Sequence, residues 1–102
     1  MRVGDIAVGR SGDKGDILDL SLVAVDEKSF ERLERFMTAE RAEQALGLAM
    51  PAQVTRYVVP GLLALKFVIP GALPGGVHAS LHAGMHWQKS AIHILLDLDM
   101  DE

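Results

Sequence analysis

Alternation of apolar and polar positions is clearest over residues 17–25. Leu18, Leu20, Leu22 and Ala24 share one side of an extended chain, and Ile17, Asp19, Ser21, Val23 and Val25 share the other. One fully apolar side and one mixed side predict an inner strand covered by helices on a single face. From Asp26 the period becomes helical. Asp26 suits an N-cap, Glu27 suits the positive end of a helix dipole, and Phe30, Leu33 and Met37 form an i, i+3, i+7 stripe that Phe36 widens. Glu31, Arg32, Glu34 and Arg35 cover the remainder as a solvated face. Thr38 predicts a second cap, for a helix from Ala39 to Leu46 that Gly47 ends. Its alanines at 39, 42 and 45 permit close packing but bury little area each.

Pro51 breaks the chain toward a strand over Gln53–Val59, which is β-branched and alternating. Pro60-Gly61 signals a turn, and Leu62–Ile69, charged only at Lys66, has the length of a buried strand. Pro70–Gly76 is a loop rich in glycine and proline, and Val77–His82 returns as a strand. After Gly84 the helical period resumes, with Gln88, Ala91, Ile92 and Leu95 on one side and Ile94 and Leu98 flanking. At the end, Leu96, Leu98 and Met100 alternate with Asp97, Asp99 and Asp101, which fits either a short strand or a fraying acidic end. Asp5–Val8 reads as a short first strand. Strands, helices, strands and a last helix make one α+β domain over residues 1–102. The expected architecture is a two-layer sandwich, resembling a ferredoxin-like domain. It has one mixed or antiparallel sheet of four to five strands, with helices on one face. The second sheet face, carrying Ile17, Val23 and Val25, is left without an element to cover it, so a homo-oligomer is expected.

Composition narrows the partners. The chain has 102 residues, 49% hydrophobic and 24% charged, which suits one globular domain with one modest core. A net charge of −4, with no basic patch, argues against a nucleic-acid binder. No cysteine is present, so disulfides and thiol chemistry are excluded. Met1–Asp5 lacks the apolar core of a signal peptide, and no apolar run nears the ~20 residues of a membrane helix. A cytoplasmic protein without a membrane partner is expected.

Candidate chemistry centres on Gly9–Asp16, which packs glycines at 9, 12 and 15 among Arg10, Lys14, Asp13 and Asp16. Asp13-Lys14-Gly15 can close a hairpin with a bulge, which needs no ligand and is the favoured reading. Alternatively, Gly12 and Gly15 bare their amides while Arg10 and Lys14 supply charge to an anion. It is neither a Walker loop nor a dinucleotide fingerprint, since the lysine is not followed by Ser or Thr at the required spacing and a strand follows. If Gly12–Asp16 and Gly71–Gly76 meet at one end of the sheet, the ligand-binding set would be Arg10, Ser11, Gly12, Asp13, Lys14, Gly15, Asp16, Gly71, Gly75 and Gly76. His78, His82 and His86 recur every four residues, but without an intervening carboxylate they read as solvated or hydrogen-bonded histidines, and no metal is expected. Asp13, Asp16 and Asp19 lack calcium-loop spacing and read as turn caps. Ser11, Ser80, Ser90 and the histidines assemble into no nucleophile–base set, so no catalytic residue is assigned. Trp87 and Tyr57 read as core or interface residues. No cofactor is implied.

The run Arg10-Ser11-Gly12-Asp13-Lys14-Gly15-Asp16 also resembles the signature of the AtuA family, named for acyclic terpene utilisation, and in particular its small C-terminal ferredoxin-like domain. The likeness continues through Thr38–Arg41, Tyr57–Leu62, Ala64–Val68, Gly71–Gly76 and Ser80-Leu81. Asp19 and Lys66 stand where the family usually has asparagines, and Pro70 and Val8 where it has histidines. The resemblance implies an accessory subunit working beside a separately encoded AtuA-like large subunit, in catabolism of acyclic terpenoid or branched acyl-CoA compounds. Read from the residues alone, a self-contained module for an anionic or acyl-CoA ligand, or a small enzyme, stays open.

Overall fold

The computed structural model describes residues 1–14, 17–46, 54–70 and 91–101. The chain starts with a 3-10 turn, Val3–Asp5, and runs through β1 (Ala7–Lys14), β2 (Ile17–Ala24), α1 (Glu27–Phe36) and α2 (Ala39–Leu46). It continues through β3 (Thr55–Val59), a 3-10 turn at Pro60–Leu62, β4 (Ala64–Ile69) and a helical segment α3 at residues 91–96. The four strands form one sheet in the order β1-β2-β4-β3, with every neighbouring pair antiparallel. This is an α+β, ferredoxin-like arrangement. The strand expected over Val77–His82 lies outside the described residues.

Local chemistry explains each boundary. The Ser29 N–H donates to Asp26 Oδ1 at 2.7 Å, so Asp26 caps α1 as its position predicts. The Arg41 N–H donates to Thr38 Oγ1 at 3.1 Å, and Thr38 caps α2. Two arginines converge on the C-terminal end of α1. Arg56, half-buried on β3, donates to the Glu34 and Met37 carbonyls at 3.1 and 3.5 Å. Arg41 donates to the Phe36 carbonyl at 2.9 Å and stacks its guanidinium 4.2 Å from the Phe36 ring centre. Cations here answer the negative end of the helix dipole and its unpaired carbonyls.

Register places every strand residue. Leu18, Leu20 and Leu22 are fully buried and Ala24 nearly so, while their alternates are only half-buried. Leu65, Phe67 and Ile69 of β4 join them on the covered face. Phe30, Leu33 and Met37 from α1, Ala42 and Leu46 from α2, and Ala91, Ile92 and Leu95 from α3 complete one hydrophobic core. Gly9 faces α3 so closely that a Cβ there would lie 2.6 Å from Ile92 Cγ1, which explains a glycine in the middle of a strand.

Three expectations are corrected. Residues 3–5 form a 3-10 turn and the first strand starts at Ala7, because the Asp5 and Ile6 amides bond back to Arg2 and Val3 carbonyls. That strand then runs through Lys14, so Arg10, Ser11, Gly12, Asp13 and Lys14 lie in β1 and not in a loop; eight register pairs to β2 outweigh the flexibility of the glycines. Residues 97–101 are neither a full strand nor an unpaired end. After α3 the chain makes one antiparallel bridge, Asp99 to Arg2, in which the Val3 N–H donates to the Leu98 carbonyl and the Met100 N–H to the Met1 carbonyl. No helix among the described residues is long and apolar enough to cross a membrane.

Candidate functional site

The face of the sheet away from the helices is organised in rows set by the register. Val8, Val23, Ala64 and Val59 stand side by side across β1, β2, β4 and β3. The next row is Arg10, Ser21, Lys66 and Tyr57, and the one after is Gly12, Asp19, Val68 and Thr55. An apolar row therefore borders a polar row. Val8 and Tyr57 are exposed, as are Val25 and Leu62 beside the first row. Large apolar side chains clustered on one open face are the informative kind of exposure.

Charges on this face are unequal in their surroundings. Lys66 Nζ lies 3.0 Å from Asp19 Oδ2, an ion pair between half-exposed side chains on neighbouring strands. The two charges neutralise each other across the neighbouring strands. Arg10 is exposed, and no ion pair among the described residues involves it.

A dent of about 490 Å³ lies on this face, lined by Val8, Arg10, Ser21, Val23, Leu62 and Ala64. Its cause is compositional. Ser21 and Ala64 are small residues on the two central strands, and Val8, Arg10 and Leu62 stand taller around them. Leu62 is placed by the turn between β3 and β4. The following residue, Leu63, takes the left-handed conformation at φ 53°, and its carbonyl accepts the Ala24 N–H at 2.8 Å.

Arg10 thus lines the dent, whereas Ser11 alternates toward the covered face and Gly12 lies one row farther along. Asp13 and Lys14 pair with Leu18 and Ile17 at the end of the hairpin. Gly15, Asp16, Gly71, Gly75 and Gly76 lie outside the described residues, as do His78, His82, His86, Ser80, Ser90 and Trp87. The strand ends that lead into the two glycine stretches do stand at one end of the sheet: Lys14 pairs with Ile17, and the next residue, Leu18, pairs with Ile69. Among the described residues no group of His, Asp or Glu side chains is arranged to hold a metal.

The sequence reading missed Ser21, Ala64 and Leu62 as parts of a site. Only the register reveals them, because each comes from a different element and none carries a motif. Tyr57 is on the open face and half exposed.

No curated protein and no solved structure matches the chain. The family model of the AtuA ferredoxin-like domain matches residues 1–101. With Arg10–Lys14 of its motif on β1, its antiparallel sheet and that match over nearly its whole length, the chain belongs to the AtuA ferredoxin-like domain family.

Proposed function

We propose that this domain acts as the small accessory subunit of an AtuA-like assembly, beside a separately encoded large subunit that carries the chemistry. The setting that goes with this reading is cytoplasmic catabolism of acyclic terpenoid or branched acyl-CoA compounds. The observation that carries it is the family match over residues 1–101. The open sheet face supports it, since Val8, Val25, Tyr57 and Leu62 expose apolar surface of the kind that marks a protein partner. The test is co-expression with a tagged AtuA-like large subunit. The domain should co-purify, and Tyr57→Asp should remove it from the complex while leaving its circular dichroism unchanged. A large subunit recovered alone, with wild-type domain folded in the same lysate, refutes the reading. Light scattering on the isolated domain reads the other occupant of the face, a second copy of the chain; a dimer that Tyr57→Asp dissociates would assign the face to self-association.

A second reading, an anion or acyl-CoA site at the glycine stretches, is favoured by the common end at which their flanking strands stop. A charge-assisted hydrogen bond is worth about 1.5–3 kcal/mol, so Lys14→Ala should weaken such an anion roughly tenfold or more. Calorimetry with acyl-CoA and with phosphate decides it, and equal affinity in both proteins leaves Lys14 as a hairpin residue only.

A further inference from the structure

We infer that the open sheet face holds a binding site for an aliphatic carboxylate, seated in the dent between β1, β2, β4 and the Pro60–Leu62 turn. Three observations converge on that ligand. The volume of about 490 Å³ is within the range of small-ligand sites, roughly 300–1,000 Å³. The floor and walls are Val8, Val23, Leu62 and Ala64, which offer an aliphatic body only apolar contact. At one side stand Arg10 and Ser21, facing each other across the β1–β2 pair.

Charge selects the head group. Lys66, next to Ser21 in the same row, is answered by Asp19 at 3.0 Å. Arg10 therefore supplies the unanswered positive charge at the dent among the described residues. One guanidinium presents a planar fork that matches a carboxylate in two parallel hydrogen bonds. A single cation suits a monoanion better than a doubly charged phosphate.

The wall at Leu62 is held at a cost. Leu63 sits at φ 53°, a conformation that bulky residues rarely adopt, and its flanking bonds to Pro60 and Ala24 hold it there. The same turn keeps Leu62 69% exposed over the dent instead of folding it into the core. Strained backbone positions cluster at ligand clamps, and here the strained Leu63 sets the exposed Leu62 that walls the dent. This inference stands on the geometry of the face and not on the accessory role, so binding is read on the domain alone; a large subunit laid over the face would roof the same dent.

The test is an NMR titration of the labelled domain with octanoate, with octanol, acetate and inorganic phosphate as parallel arms. Octanoate should give saturable shifts at the amides of Val8 to Arg10, Ser21 to Val23 and Ala64. Octanol and acetate should bind more weakly, and phosphate should leave these amides unmoved. Arg10→Gln should weaken octanoate at least roughly tenfold, since even one of its two charge-assisted bonds is worth that much. Ala64→Leu should fill the dent and abolish binding. Val8→Asp, at a position 60% exposed, should repel the carboxylate without touching the core. A dispersed spectrum certifies each variant. No saturable shift at these amides, equal binding of octanol, or unchanged affinity in both Arg10→Gln and Val8→Asp overturns the inference. Failure of the large-subunit pull-down with octanoate binding intact would strike only the accessory role.

Discussion

Gly9→Ala tests whether β1 and α3 approach each other as closely as the structure has them. The added Cβ would lie 2.6 Å from Ile92 Cγ1, 2.9 Å from Ile92 Cδ1 and 3.0 Å from Leu96 Cδ1. The nearest of these is the stem of a side chain only 6% exposed, not a movable tip, and Leu96 closes on the point from the next helical turn. Overpacking of this kind costs about 1–3 kcal/mol. Alanine recovers some of it, because glycine within a strand is disfavoured by roughly 0.5–1 kcal/mol. The contact geometry puts the steric cost toward the upper end, so the net loss is about 2 kcal/mol. For a domain of this size each kcal/mol moves Tm by about 4–8 °C, so Gly9→Ala should melt roughly 8–16 °C below wild type. The control is Ile92→Ala. Alone it should cost about 2–5 kcal/mol, by emptying a core position. In that background Gly9→Ala meets no stem at 2.6 Å and should become neutral or stabilising. Thermal and urea unfolding of the four proteins by circular dichroism read the cycle. A Gly9→Ala protein as stable as wild type would refute the close approach, and an equal loss in both backgrounds would assign the cost to something other than Ile92.

Phe67→Ala empties a fully buried position on β4 and should cost about 3–5 kcal/mol by urea unfolding; a loss under 1 kcal/mol would contradict a packed sheet–helix interface. Arg56→Met keeps the apolar stem but removes the donors to the Glu34 and Met37 carbonyls, so stability should fall by about 1.5–3 kcal/mol and hydrogen exchange should quicken in the last turn of α1. The hydrogen bond from the Ser29 N–H holds the Asp26 carboxyl below its ordinary value, so its capping stability is present above about pH 4 and is lost as pH falls through the depressed value. The Tm gap between wild type and Asp26→Ala should therefore be full at neutral pH and narrow in acid, whereas a gap constant down to pH 2 would remove the ionised carboxylate from the cap.

The covered layer was legible because burial imposes its period on the sequence. Leu18, Leu20 and Leu22 alternate and are fully buried, and Phe30, Leu33 and Met37 repeat at helical spacing and meet them. Asp26 and Thr38 announced their caps because a short oxygen-bearing side chain before a helix has one dominant use. The first strand misled for a related reason. Glycine at 9 and 12 read as loop chemistry, yet at Gly9 the missing side chain makes room for Ile92, a contact about eighty residues away in sequence that no local pattern encodes. Arg56 escaped in the same way: its partners belong to α1, and an arginine in a strand pattern gives no hint of capping a helix.

The open face obeys a different logic, and this is why the candidate site moved. Motif reading favours residues close together in sequence, so it gathered Arg10 to Asp16 into one loop. In the sheet, side chains of successive residues point to opposite faces, so the part of that run in β1, Arg10 to Lys14, cannot present one surface. What Arg10 actually meets is fixed by antiparallel register: Ser21 across the β1–β2 pair, then Lys66, then Tyr57. A one-residue slip of β1 against β2 would exchange Arg10 for Ser11 on that row and bury the guanidinium against the helices. The Gly9–Ile92 contact prevents the slip, because in either slipped register Val8 or Arg10 would have to fit where only glycine does. The glycine just before the motif therefore acts on the covered face, while the motif's arginine acts on the open one. The two halves of a single dipeptide, Gly9-Arg10, tie the packing of α3 to the placement of the charge beside the dent.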